Sequence, residues 1–355
     1  MGIHAGRAKF WLLSFLLALV ALVPGWALAD DDDRHGSHRP FNRIVVFGDS
    51  LSDPGNVFAL NGGQTVAPPD YGMSGVDAQG IPEVIALIPD APYATRRFSN
   101  GATWVEVLAS AIGLSSSTKP AFTGSEGRAS NYAVGGATAF GTRPIDLSAQ
   151  VDLFLRDVRG RAPRDALYVI EIGGNDIRAA LAAFSAGQNP DVVIGAALAS
   201  VANNIGKLHY AGARRFLVWN VPDLGRTPAL QRLNALVAPG IAGLATALSA
   251  GYNQGLGGVL LGADALRGTS IVTFDTFGTL ASVQANPAKF GLRDATTACI
   301  QPNVPAFGFP STPPFRCAQP DRHFFWDGIH PTRAGHAIIA FLVGKTLVGA
   351  LLHDD

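Results

Sequence analysis

Charge and sulfur are scarce in this chain. Of 355 residues only 15% are charged, with two cysteines and two methionines. Lys+Arg and Asp+Glu each number 27, a balance that gives no electrostatic footprint for a nucleic-acid partner. There is no C-x-x-C, no H-E-x-x-H, and no G-x-S-x-G around Ser50, so zinc-protease and α/β-hydrolase readings fall away. The phosphate-loop pattern is also missing: Gly344-Lys345-Thr346 lacks its first glycine, because Ile339 stands there. The glycines of 251–258 miss G-x-G-x-x-G, because Leu260 holds the last position. No internal repeat recurs, no linker divides the core, and beyond the first residues no apolar run is long enough to span a bilayer.

What the chain does have begins at its N-terminus. Arg7 and Lys9 precede an apolar run from Phe10 to Val23, and Ala27-Leu28-Ala29 forms a small-residue cleavage pattern. The run is shorter than the roughly 20 residues a membrane span prefers, and Pro24-Gly25 interrupts it. Residues 1–29 are therefore expected to be a secretory signal cleaved near Ala29, leaving a net charge of −2 once two bases and no acid are lost. Residues 30–40, "DDDDRHGSHRP", are polar and read as a disordered leader. Export favours pairing Cys299 with Cys317 around a proline-rich loop. Two free thiols or a metal pair are the alternatives, but no histidine cluster lies nearby, so a structural disulfide is expected.

From Phe41 short β-branched runs alternate with helical stretches. Strand candidates are 43–47, 131–134, 166–172, 214–219 and 269–274; helical stretches include 104–112, 190–211, 229–266 and 331–350, with Pro331 suited to a first turn. Continuous apolar strands between helices predict a parallel sheet covered on both faces, a three-layer α/β/α sandwich. Residues 41–352 are expected to form one domain, with insertions near 60–129 and 286–326.

Four junctions carry the chemistry. Gly48-Asp49-Ser50 follows the first strand, where Ser50 could cap a helix or act as a nucleophile. "DGIHPT" (327–332) offers His330 as a base, with Asp327 three residues earlier to hold its tautomer. Read locally, Asp327 is also a plausible turn residue and His330 a surface one. Gly135-Gly136 ends the 131–134 strand, and Gly173-Gly174-Asn175 ends 166–172; both could supply oxyanion donors, together with the Ser50 N–H, or be ordinary tight turns. His336 lies on a different helical face from His330 and reads as packed or surface.

Together, "FGDSLSD", "VGGAT", "GGND" and "DGIHPT" resemble the four blocks of the GDSL lipases and esterases, within the SGNH hydrolase superfamily. "RRFSNGATWVEVLA" (96–109) and "NVPDLGRTP" (220–228) look like stretches of its larger secreted members. The resemblance implies a flavodoxin-like, five-stranded parallel sheet. It implies Ser50, Asp327 and His330 as catalytic triad, and Ser50, Gly136 and Asn175 as oxyanion hole, with Gly136 favoured over Gly135. It implies an ester substrate and no metal or organic cofactor. Expected activity is that of a secreted lipase or esterase, possible phospholipases included. Polysaccharide O-deacetylation, acyl transfer, and a non-catalytic binding role on the same scaffold are the alternatives. Oligomeric state is not encoded in any of these motifs.

Overall fold

A computed structural model describes residues 40–60, 93–94, 96–123, 130–300 and 317–351, with Gly62 and short strand pieces at Thr65–Val66 and Ile88–Pro89. The expected signal over 1–29, and the leader apart from Pro40, lie outside the described residues.

Four parallel strands form the main sheet in the order β1–β2–β3–β4: β1 (Arg43–Gly48), β2 (Ala166–Glu171), β3 (Arg215–Trp219) and β4 (Ser270–Phe274). Their alternating side chains explain the layering. Val45, Phe47, Tyr168, Ile170, Phe216 and Val218 share one core; Ile44, Val46, Leu167, Val169, Leu217 and Trp219 share another. Helices α3 (Leu147–Asp157), α4 (Gly174–Ser185), α5 (Pro190–Ala211) and α7 (Ile241–Asp264) close the first face. Helices α2 (Trp104–Ala111), α8 (Thr276–Ala285) and α9 (Arg333–Leu351) close the second. The class is the predicted α/β/α sandwich.

The strand count differs from the expected five. Residues 131–134 lie along β1 and exchange three backbone hydrogen bonds with it and its flank: Val46 N to Ser130 O, Tyr132 N to Val46 O and Val134 N to Gly48 O. Only Asn131 registers as a bridge to β1. The Gly48 N–H that would continue this ladder goes instead to Gln150 Oε1 at 2.9 Å, and two glycines follow, so no full strand propagates. This segment sits on the opposite side of β1 from β2. Strand order therefore reverses at β1, and that is where ligands of open parallel sheets bind, beyond the carboxyl ends.

Two helical expectations are corrected. The 229–266 stretch is two helices, α6 (Pro228–Leu236) and α7, broken at Pro239-Gly240, where Gly240 takes φ +95°. The closing helix starts at Arg333, not Pro331; Thr332 Oγ1 accepts the Gly335 N–H at 3.0 Å and caps it. Pro331 instead pairs with Phe325. Within the stretch read as an insertion, residues 96–123 carry α2, which buries Trp104, Val105 and Leu108 against the sheet.

Candidate active site

β1 ends against a tight neighbour. A methyl on Gly48 would stand 2.4 Å from the Glu171 backbone oxygen, so glycine alone fits the close β1–β2 approach. Gln150 of α3 brackets Gly48: its Oε1 accepts the Gly48 N–H at 2.9 Å, and its Nε2 donates to the Gly48 oxygen at 2.8 Å. The turn after it is closed by Asp49, which takes the Leu51 N–H on Oδ1 and the Ser52 N–H on its backbone oxygen. Ser50 sits on this turn and caps no helix. Asp53 does that work, accepting the N–H groups of Gly55, Asn56 and Val57 at the start of α1 (Asn56–Leu60).

The Ser50 hydroxyl instead lies 2.8 Å from His330 Nε2. His330 Nδ1 lies 2.8 Å from Asp327 Oδ2, while Asp327 Oδ1 accepts the N–H groups of Ile329 and His330 at 2.9 and 2.8 Å. Asp327 and His330 are both buried. Burial pushes the Asp327 carboxyl up, but His330 and the two backbone N–H groups outweigh it and hold it below the ordinary carboxylate range. An ionised Asp327 requires the proton on Nδ1, leaving Nε2 to accept from Ser50. The geometry brings all three predicted side chains into one hydrogen-bonded line.

The expected oxyanion donors flank it. Gly135 donates its N–H to Asp53 Oδ2 at 2.9 Å, whereas the N–H groups of Ser50 and Gly136 make no hydrogen bond among the described residues. Gly136 adopts φ +80°, a backbone state suited to glycine. Asn175 Nδ2 donates to Ala137 O at 2.9 Å and makes a longer 3.3 Å contact with Asp49 Oδ2. Its Oδ1 accepts from Arg178 Nη1 at 2.9 Å, which fixes the amide's orientation.

Beneath the site lie buried acids that the sequence reading passed over. Burial pushes Asp49 up to about 6, opposed by the Leu51 N–H. Glu171, accepting from Ser52 Oγ at 2.8 Å, is raised well above its ordinary range by burial and by Asp49. Burial lifts Asp53 to about 6 against four backbone N–H donors. Asp176, pushed by burial to about 6, binds the N–H groups of Ala139 and Phe140 and so ties α4 to the Gly136 turn. Asp53 carried a readable signal, a capping residue before Pro-Gly; Arg178 carried one too, three residues beyond Asn175 on a helix. Tyr93 and Phe98 also reach the site, and nothing local in the sequence singles out the first. The cysteines pair as expected, Cys299 with Cys317. No helix among the described residues is long and apolar enough to cross a membrane.

A model of the GDSL-like Lipase/Acylhydrolase family matches residues 44–343. A GDSL esterase/lipase of Arabidopsis thaliana is 27% identical over 86% of this chain and 87% of its own length. A phosphatidylcholine-sterol acyltransferase of Aeromonas hydrophila is 28% identical over 82% of this chain and 72% of its own. An extracellular lipase of Streptomyces rimosus of known structure is a looser likeness, 16% identical with a TM-score of 0.36 over 87% of this chain and 99% of that one.

Proposed function

The chain belongs to the GDSL-like lipase/acylhydrolase family, and from that premise we propose a serine ester hydrolase that works through an acyl-enzyme on Ser50. The observation that carries this reading is the continuous line from Ser50 Oγ through His330 to Asp327, with both links at 2.8 Å. Ser50 Oγ attacks the ester carbonyl carbon as its proton passes to His330 Nε2. The carbonyl oxygen becomes an oxyanion, held by the N–H groups of Ser50 and Gly136 and by Asn175 Nδ2. Collapse breaks the ester C–O bond, and the leaving alcohol takes the proton from Nε2. Water then attacks the acyl-enzyme by the same route, releasing the acid and restoring the Ser50 hydroxyl. For Asn175 to join, its amide must turn its long Asp49 contact toward the oxyanion.

The substrate of this reading is a carboxylic ester, lipid or small. The same acyl-enzyme can pass its acyl group to an alcohol in place of water, and the likeness to the Aeromonas acyltransferase favours testing that outcome. Export belongs to the reading as well, supported by the signal-like residues 1–29 and by the disulfide.

A fluorophosphonate probe tests the core claim. Wild type should label on Ser50 and Ser50→Ala should not; an inert wild type, or equal labelling of both, sinks it. Rates on p-nitrophenyl esters of increasing acyl length then sort lipase from short-chain esterase, and a profile peaking at acetate argues against lipase.

A further inference from the structure

We propose that Tyr93 is a positioning residue of this reaction: its phenol, donated to Asp327 Oδ2 beside His330 Nδ1, fixes the carboxylate and sets the basicity of His330. This rests on the acyl-enzyme reading above.

The geometry is specific. Tyr93 is 5% exposed, and its Oη donates to Asp327 Oδ2 at 2.7 Å, the same oxygen that faces His330 Nδ1. With Oδ1 holding two backbone N–H groups, the carboxylate accepts four hydrogen bonds and has no freedom to rotate. The Tyr93 ring is held too, edge-on to Trp326 with centroids 5.7 Å apart and in one cluster with Cys299 and Ile300. Ala94 N–H then bonds the Ser99 oxygen at 2.7 Å, turning the chain back over the same loop. Phe98 stacks on the His330 ring at 5.3 Å, Ser99 Oγ donates to the Pro331 oxygen at 2.8 Å, and Asn100 Oδ1 accepts the Arg333 N–H at 2.7 Å. The segment grips the loop of the base at Asp327, His330, Pro331 and Arg333.

The chemistry follows from where the phenol proton sits. When His330 takes the Ser50 proton, the imidazolium is stabilised by the negative charge on Oδ2. A phenol sharing that oxygen draws off part of the charge, so it lowers the proton affinity of His330 while locking the acceptor in line. Other groups facing His330 are Asp49, charged as its carboxyl ionises, and His336; the Arg333–Asp321 pair ties the first residue of α9 to the turn at 320–322. All of these persist when Tyr93 is changed, so a difference between variants isolates the phenol.

The test is Tyr93→Phe, which keeps the ring against Trp326 and removes one proton donor. Rates are taken per fluorophosphonate-labelled site, across pH, on a soluble p-nitrophenyl ester. The acid limb of kcat/KM is expected to move up by about half a pH unit, with a several-fold fall in kcat. Site-specific replacement of Tyr93 by a fluorinated tyrosine, a stronger donor on an unchanged ring, should move the limb down. A limb midpoint does not depend on the folded fraction, so a merely structural role leaves it in place. A limb that stays put in both variants, or moves the opposite way, overturns the proposal while labelling of Ser50 still stands. A wild type that does not label defeats the acyl-enzyme reading itself and takes this inference with it.

Discussion

Phe98 fills the space that a side chain at Gly135 would need. A methyl on Gly135 would stand 2.3 Å from one carbon of the Phe98 ring and 2.8 Å from another, and that ring already lies stacked on His330. Two of the four blocks thus meet through an aromatic from neither.

Gly135→Ala should therefore push Phe98 against the imidazole. Overpacking of this kind costs about 1–3 kcal/mol. Urea unfolding should show a loss of that size, and kcat per labelled site should fall at least about tenfold, the scale of 1.4 kcal/mol of lost alignment. Full activity with only a stability loss would show that Phe98 can move without disturbing the base.

Asn175→Ala removes the side-chain donor proposed for the oxyanion. Loss of one such donor lowers kcat by about 100- to 1000-fold, with KM little changed. Arg178→Ala should be milder and in the same direction, because the amide stays but its Oδ1 loses the 2.9 Å contact that orients it. Steady-state kinetics on both variants decide the order; an Arg178 variant worse than the Asn175 variant would move the electrostatic role to the guanidinium.

Much of the site was legible because its chemistry sits in contiguous blocks at strand ends. Ser50, Asn175, Asp327 and His330 each follow a recognisable break in apolar pattern. The supporting contacts were not legible, for a physical reason. Tyr93 meets Asp327 across 234 residues, and Gln150 brackets Gly48 across 102; both depend on how the chain winds, and no local periodicity encodes that. The 131–134 segment reads as a strand from its composition, but Gln150 takes the Gly48 N–H that would have continued its ladder with β1. Pro239-Gly240 is the visible break in the 229–266 stretch, whose alanine- and leucine-rich flanks satisfy helical spacing on either side.

His336 gives a pH-dependent stability with a definite sign. It is fully buried, and its Nδ1 accepts the Trp104 N–H at the first turn of α2, so it must stay neutral. Burial, helped by His330, lowers its pKa from 6.5 to about 3. A depressed pKa means the unfolded chain binds the extra proton; the contribution is complete above pH 6.5 and is lost as pH falls toward 3. Asp49, Asp53 and Asp176, raised to about 6, act in the opposite sense, stabilising at low pH and losing that contribution as pH rises through 6. Comparison with His336→Asn, which keeps an acceptor for Trp104, cancels the acids. The stability advantage of wild type should shrink by about 2 kcal/mol between pH 7 and pH 5, at about 1.4 kcal/mol per unit below 6.5. A pH-independent difference would mean that His336 takes up its proton as readily in the fold as in the unfolded chain.

The disulfide should matter to the base as well as to stability. Cys299 and Cys317 close a loop with a sequence separation of 18, which in the chain-entropy model stabilises by about 3 kcal/mol. Its position adds a second effect. The short strands Asp294–Ala298 and His323–Phe325 pair, and their contact runs on toward Asp327: Cys299 N to Phe325 O at 3.0 Å, then Ile300 N to Trp326 O at 2.7 Å. Trp326 in turn donates its N–H to the His330 oxygen at 2.7 Å and carries the edge contact to Tyr93. Loosening Cys299 therefore loosens the residue next to Asp327. The Cys299→Ser/Cys317→Ser variant should unfold about 3 kcal/mol sooner in urea and, at temperatures where it is fully folded, should show reduced kcat per labelled site with KM little altered. If kcat is unchanged, the Trp326 contacts hold Asp327 in place without the covalent link, and the bond contributes to stability alone.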